Sequence, residues 1–174
     1  GLRRKVAGGG GHRGRVIRCN DTVVRYHEPH IGIAAVAVLE ALGFDVELPV
    51  QRKCCGRPAF SQGNLKEAAR LGRHNLATLH RPNDSTAILF LEPSCYSMFV
   101  EDYRALNLAG TETIAARCFL FEKFVADLLE REPAALQFEP RAMPGAVDAH
   151  CPAKSFLTPG CIVRLATRPP GAKP

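Results

Sequence analysis

The sequence predicts an α/β fold, a parallel sheet flanked by helices. Short apolar runs alternate with helical periods in the order strand, helix, strand, helix, strand, helix. The run "TAILFLEP" (86–93) is apolar on both faces and closed by a proline, as expected of a strand buried on both sides. The 174 residues suffice for one domain with its own core.

Each element has a local reason. Residues 1–14 are basic and Gly-rich without apolar period, a flexible leader. "RVIRC" (15–19) reads as the first strand. "GIAAVAVLEALGF" (32–44) is apolar on nearly all sides and reads as a well-buried helix, with Gly43 at its C-cap. "DVELPV" (45–50) alternates like a strand. "NLKEAARLGRHNLATLH" (64–80) is a helix with capping-box spacing between Asn64 and Glu67. Its apolar stripe runs through Leu65, Ala68, Ala69, Leu76 and Leu79. Residues 94–106 read as a helix capped by Ser94. Residues 111–132 read as the longest helix, with Ile114, Cys118, Phe121, Val125 and Leu128 on its apolar face. A Pro-containing connector follows, and "GAVDAH" (145–150) has the pattern of a last strand. From 158 to 174 there is no periodicity, and a disordered tail is expected.

Charge excludes one large class. The formal net charge is +6, yet all 17 acidic and 14 of the 23 basic residues lie within 19–160. The basic excess sits in the ends of the chain rather than on a folded face, which argues against nucleic-acid binding. The longest apolar run, "IGIAAVAVL" (31–39), stops at Glu40 and falls short of the ~20 residues a membrane span requires. No secretory signal is visible, so a cytoplasmic protein with reduced thiols is expected. "GGGGH" (8–12) precedes a strand rather than following one and is no dinucleotide loop.

Seven cysteines in such a chain point to metal or redox chemistry. Cys19 ends the first strand. Cys54 and Cys55 lie just beyond the second, Cys95 follows the third, and Cys151 follows the last. In an open parallel sheet these loops share one edge, where ligands bind. Thiolates converging there suit an iron–sulfur cluster or zinc. Adjacent cysteines are unusual for zinc, and neighbouring side chains diverge unless the backbone kinks; Gly56 and Pro58 allow that kink. Each cysteine also has a plainer reading. Cys118 is a core thiol, Cys161 incidental, Cys19 a strand-end core residue, and Cys95 a helix N-terminal thiol. Thiol–disulfide exchange between Cys54 and Cys55 is disfavoured by the strain of a disulfide between neighbours. His27, His30, His74 and His80 read as solvated; His150 stands beside Cys151.

"CCGRP", then "SQG", a helix with Asn75, "LEPSC" and "HCPAK" together resemble the cysteine-rich CCG domain. That domain occurs in heterodisulfide reductase B subunits and in iron–sulfur subunits of glycolate oxidase and anaerobic glycerol-3-phosphate dehydrogenase. It also occurs in C-terminal parts of FAD-linked 2-hydroxyacid dehydrogenases, to which "NDTVVRYHEPHIGIAAVAVLEALGFDVELP" is most similar. The resemblance spans 15–157. It implies one near-complete repeat (cysteine, CC, C-x-x-C) plus the start of a second, within a chain that is truncated or loses its reading frame near 158.

By this resemblance Cys54, Cys55 and Cys95 bind the cofactor, and Cys54, Cys55, Cys95 and Cys151 are the metal ligands. Cys19 and Glu92 stand where the pattern departs. Glu92 replaces the first cysteine of C-x-x-C. When the segment is aligned on Pro29, the first cysteine falls near Asp21 or Thr22 rather than at Cys19. The implied cofactor is an iron–sulfur cluster of the 4Fe–4S type, with FAD only in a partner domain or subunit. The implied role is electron transfer for a flavoprotein dehydrogenase, any membrane attachment being through that partner. Two alternatives stay open: a non-redox docking domain with vestigial or zinc-binding cysteines, and a catalytic cluster domain like that of the heterodisulfide reductases.

Overall fold

The computed structural model describes residues 13–140 and 159–171. The chain divides into two compact units, the boundary falling after Leu120.

The first unit is built on four parallel strands: β1 (Arg15–Arg18), β2 (Asp45–Glu47), β3 (Ala87–Phe90) and β4 (Cys118–Leu120). Their order is β2-β1-β3-β4. The chain steps outward from β1 to β2, then crosses back to place β3 on the other flank of β1. The carboxyl ends of β1 and β3 therefore border a topological switch point, the crevice where open α/β sheets bind ligands. Val16, Ile17, Ile88, Leu89 and Phe90 are all but fully buried, which fixes the sheet centre at β1 and β3. Ile17 pairs with Ile88, and Cys19 N–H donates to the Leu89 carbonyl at 2.8 Å, carrying the pairing one residue past β1.

After β1 come α1 (Thr22–Tyr26) and α2 (Pro29–Ala41). Asp21 caps α1 by accepting from Val24 N–H at 2.9 Å. The α2 helix ends at Leu42, and Gly43 follows at φ +88°, the left-handed turn expected there. Helix α2 is not buried all round: Gly32, Ala35 and Leu39 form its buried stripe, while Ile33 is 69% exposed. A single stripe at i, i+3, i+7 meets the protein, and its many small apolar residues need no cover on the far side. Strand β2 is shorter than expected, stopping at Glu47.

Helices α3 (Arg57–Ser61) and α4 (Leu65–Leu79) link β2 to β3. Asn64 caps α4 through Glu67 N–H, but Glu67 reaches forward to Arg70 rather than back to the cap. Leu65 is exposed, and the buried stripe is Ala68, Gly72, Asn75, Leu76 and Leu79.

Beyond β3 the expected single helix is three pieces. They are α5 (Pro93–Ser97), a π-helical turn (Met98–Asp102) and α6 (Tyr103–Ala105). Glu92, not Ser94, is the N-cap: its Oε1 accepts from Ser94 N–H at 3.0 Å. Phe90, Phe99 and Tyr103 stack in sequence, with centroids 4.9 Å apart at each step.

The long helix expected over 111–132 is corrected to α7 (Thr111–Ala115), β4, and α8 (Phe121–Arg131). Without β4, one edge of β3 would present unpaired backbone groups; Cys118–Leu120 satisfy them. Arg117 holds the strand in place. Its Nε donates to Thr86 O at 2.9 Å, and its Nη2 pairs with Asp84 at 3.2 Å.

The second unit contains α8 and α9 (Pro159–Ala166). A helix thus occupies part of the stretch that read as a disordered tail. Arg164 pairs with Glu130 at 3.1 Å, and Arg168 donates to Leu129 O at 3.1 Å. The strand expected over 145–150 lies outside the described residues.

Candidate functional site

The three loops at the carboxyl ends of β1, β2 and β3 meet around one cleft of ≈ 350 Å³. It is lined by Asn20–Thr22 after β1, Arg52–Cys55 after β2, Cys95 after β3, and Arg25 and Tyr26 of α1. This is the switch-point crevice, and it gathers Cys54, Cys55 and Cys95 from opposite sides of β1.

The cysteine pair is shaped by Gly56. Its φ of +91° is a left-handed turn, and a Cβ there would meet the Ala68 backbone at 3.3 Å. The turn leaves Cys54 exposed and Cys55 buried, while the two thiols stay within hydrogen-bonding reach of each other. Pro58 then sits in the first turn of α3.

Two buried side chains hold the pair from behind. Asn75 of α4 accepts from Lys53 N–H at 2.9 Å through Oδ1 and donates to Cys54 O at 2.9 Å through Nδ2. Tyr103 Oη donates to Cys55 O at 2.7 Å. Burial pushes the Tyr103 hydroxyl well up, so it stays a donor. His74 Nε2 contacts Gln51 O at 2.9 Å one turn away, a structural tie for a residue that read as solvated.

Cys55 Sγ and Cys95 Sγ are 3.1 Å apart, a buried S–H···S contact. Hydrogen bonding to Cys55, then burial, pushes the Cys54 thiol far up. For Cys55 the Cys54 hydrogen bond favours the thiolate, but Cys95 and burial outweigh it and push the thiol up to about 12. Cys19, 1% exposed, lies behind the cleft rather than in its lining, and burial pushes it up to about 11. These thiols are protonated at neutral pH. Cys54 and Cys55, in the cleft lining, would release their protons to a metal group, which makes binding pH-dependent.

The remaining candidates separate. Glu92 is engaged in capping α5 and does not line the cleft. Cys118 is a core thiol on β4, donating to Ile114 O at 3.2 Å. Cys161 is buried in α9. Cys151 and His150 lie outside the described residues. Among the described residues, no three His, Cys, Asp or Glu side chains already form an ion-holding group.

Sequence reasoning missed Asn75 as a clamp, Tyr103, and the arginines. Asn75 was legible as a polar residue on an otherwise apolar stripe. Arg52 donates to Asn20 O at 2.8 Å, and Arg18 donates to Asn20 Oδ1 at 3.3 Å. The cleft is therefore cationic, with Arg25, Arg52 and Lys53 facing one acid, Asp21. Such a lining and three soft sulfur donors suit an anionic thiolate–metal group.

A parallel α/β sheet carrying a thiol cleft at its switch point defines a cysteine-rich α/β domain. Residues 18–100 match the family model of the cysteine-rich domain, CCG; this stretch is a cysteine-rich CCG domain. The chain is 32% identical over 109 residues to lactate utilization protein A of Bacillus pumilus, covering 59% of this chain and 44% of that protein. Its counterpart in an Exiguobacterium species is 31% identical over 120 residues, 66% of this chain and 48% of that protein. That of Bacillus thuringiensis is 29% identical over 113 residues, 62% and 46% respectively. The chain thus spans a little under half the length of these relatives. No solved structure matches. Among the described residues, no helix is long and apolar enough to cross a membrane.

Proposed function

We propose that this chain is the iron–sulfur electron-transfer portion of a cytoplasmic, FAD-linked 2-hydroxyacid-oxidising system. The observation that carries the reading is the meeting of Cys54, Cys55 and Cys95 at the switch-point cleft. The lactate utilization relatives support a 2-hydroxy acid as the substrate class. Oxidising such an acid to a 2-oxo acid releases two electrons and two protons to a flavin in a partner domain or subunit. A 4Fe–4S group held here would supply one-electron transfer between such a flavin and an acceptor.

The residues of this chain hold and insulate. Cys54, Cys55 and Cys95 would hold the group, giving up their protons on binding. Asn75 and Tyr103 fix the backbone from which the pair projects. Cys19 closes the floor as a protonated thiol.

A second reading, a docking domain with zinc or vestigial cysteines, is favoured by one observation: Glu92 caps α5 where the repeat pattern has a cysteine. Anaerobic expression, then iron, zinc and acid-labile sulfide assays, separates the two. The proposal expects iron with matching sulfide in the wild type, loss of both in Cys55→Ser, and no change in Glu92→Ala. Wild-type protein with zinc alone, or colourless and metal-free after anaerobic reconstitution, refutes electron transfer.

A further inference from the structure

The cations of the cleft are not equivalent. Arg25 and Lys53 are exposed and screened by water. Arg18 is 4% exposed but does not line the cleft; its Nη1 lies beside Gly32 of α2. Arg52 alone both lines the cleft with the cysteines and has a buried nitrogen, Nη1, with no hydrogen-bond partner among the described residues. Its other arm is fixed, Nη2 donating to the Asn20 carbonyl at the end of β1. A buried guanidinium N–H left open is costly, so a site that keeps one ready points to an acceptor that arrives later.

We propose that Arg52 is a positioning and charge-compensating residue for the iron–sulfur group, anchored by Asn20 and offering its free Nη1–H to sulfur. This rests on the electron-transfer reading above. Reduction adds one electron and no proton, so the negative charge at the ligands grows by one unit. A cation fixed beside the ligands favours the reduced state more than the oxidised one. Arg52 therefore raises the midpoint potential, and hydrogen bonds to sulfur act in the same direction.

The test is an anaerobic redox titration of the reconstituted chain, followed by visible absorption, on wild type, Arg52→Gln and Arg52→Lys. Arg52→Gln keeps an N–H for Asn20 and loses the charge. Its oxidised-to-reduced ratio at fixed poise is expected to rise at least tenfold, a negative shift of ~59 mV or more for one electron. Arg52→Lys keeps the charge and is expected to stay within threefold of wild type, with iron content unchanged. A loaded Arg52→Gln with the wild-type potential refutes the proposal alone and leaves Arg52 a structural tie. A loaded Arg52→Lys shifted tenfold also refutes it, and does so even if Arg52→Gln fails to fold. A wild type that takes up no iron and sulfide refutes the electron-transfer reading, and this proposal with it.

Discussion

Asn75→Ala should loosen the cysteine pair without touching a sulfur. Asn75 is fully buried on α4 and makes two hydrogen bonds of 2.9 Å to consecutive residues, accepting from Lys53 N–H and donating to Cys54 O. Truncation leaves both backbone groups without their partner. An unsatisfied buried group costs about 1–3 kcal/mol. The loop side is only part-buried, so water can recover some of the loss, and the low end applies to each bond. Adding the small cavity, the expected loss is about 2–4 kcal/mol, a large share of a typical ~5–15 kcal/mol domain stability. Asn75→Asp should cost as much, because a carboxylate oxygen would then face the Cys54 carbonyl. Urea unfolding followed by circular dichroism gives the stability. Amide exchange at Lys53 gives the local effect, with protection falling at least tenfold. A change below ~0.5 kcal/mol with Lys53 exchange unaltered would refute the claim that α4 clamps the pair.

Two further outcomes follow from the same geometry. Gly56→Ala forces a left-handed φ of +91° on a residue with a Cβ, and that Cβ meets Ala68 backbone atoms at 3.3 Å that have little room to yield. The conformational cost alone is about 1–2 kcal/mol; thermal unfolding should show at least that loss, and wild-type stability would contradict the reading. Asp84 has its carboxyl held below the usual carboxylate range, first by hydrogen bonds from Thr86 and then by Arg117 and Arg81. A depressed folded value means its stabilisation is present above the unfolded value of ~3.9 and lost as pH falls through the folded value. The urea-midpoint gap between wild type and Asp84→Asn should therefore hold from pH 7 to about 5 and close toward pH 3; a gap constant down to pH 3 would rule out the linkage.

Local patterns specified much of this molecule. The apolar runs at 15–18 and 87–90, the Asn64 cap and the left-handed Gly43 and Gly56 are consequences of residue type, and they appear where the sequence put them. The parallel order also followed, because each strand is separated from the next by helix. What the sequence could not decide is where a period is ambiguous. Ile114, Cys118, Phe121, Val125 and Leu128 fit one helix, yet Cys118–Leu120 became β4. The exposed edge of β3, far away in the chain, needed hydrogen-bond partners, and only the assembled sheet creates that demand. Likewise Cys54, Cys55 and Cys95 could be named from spacing and resemblance, since strand order alone sends them to one edge. That Cys55 and Cys95 touch, and that Asn75, Tyr103 and Arg52 surround the pair, depend on residues 21–48 positions apart in sequence. Only tertiary packing brings such residues within hydrogen-bond reach.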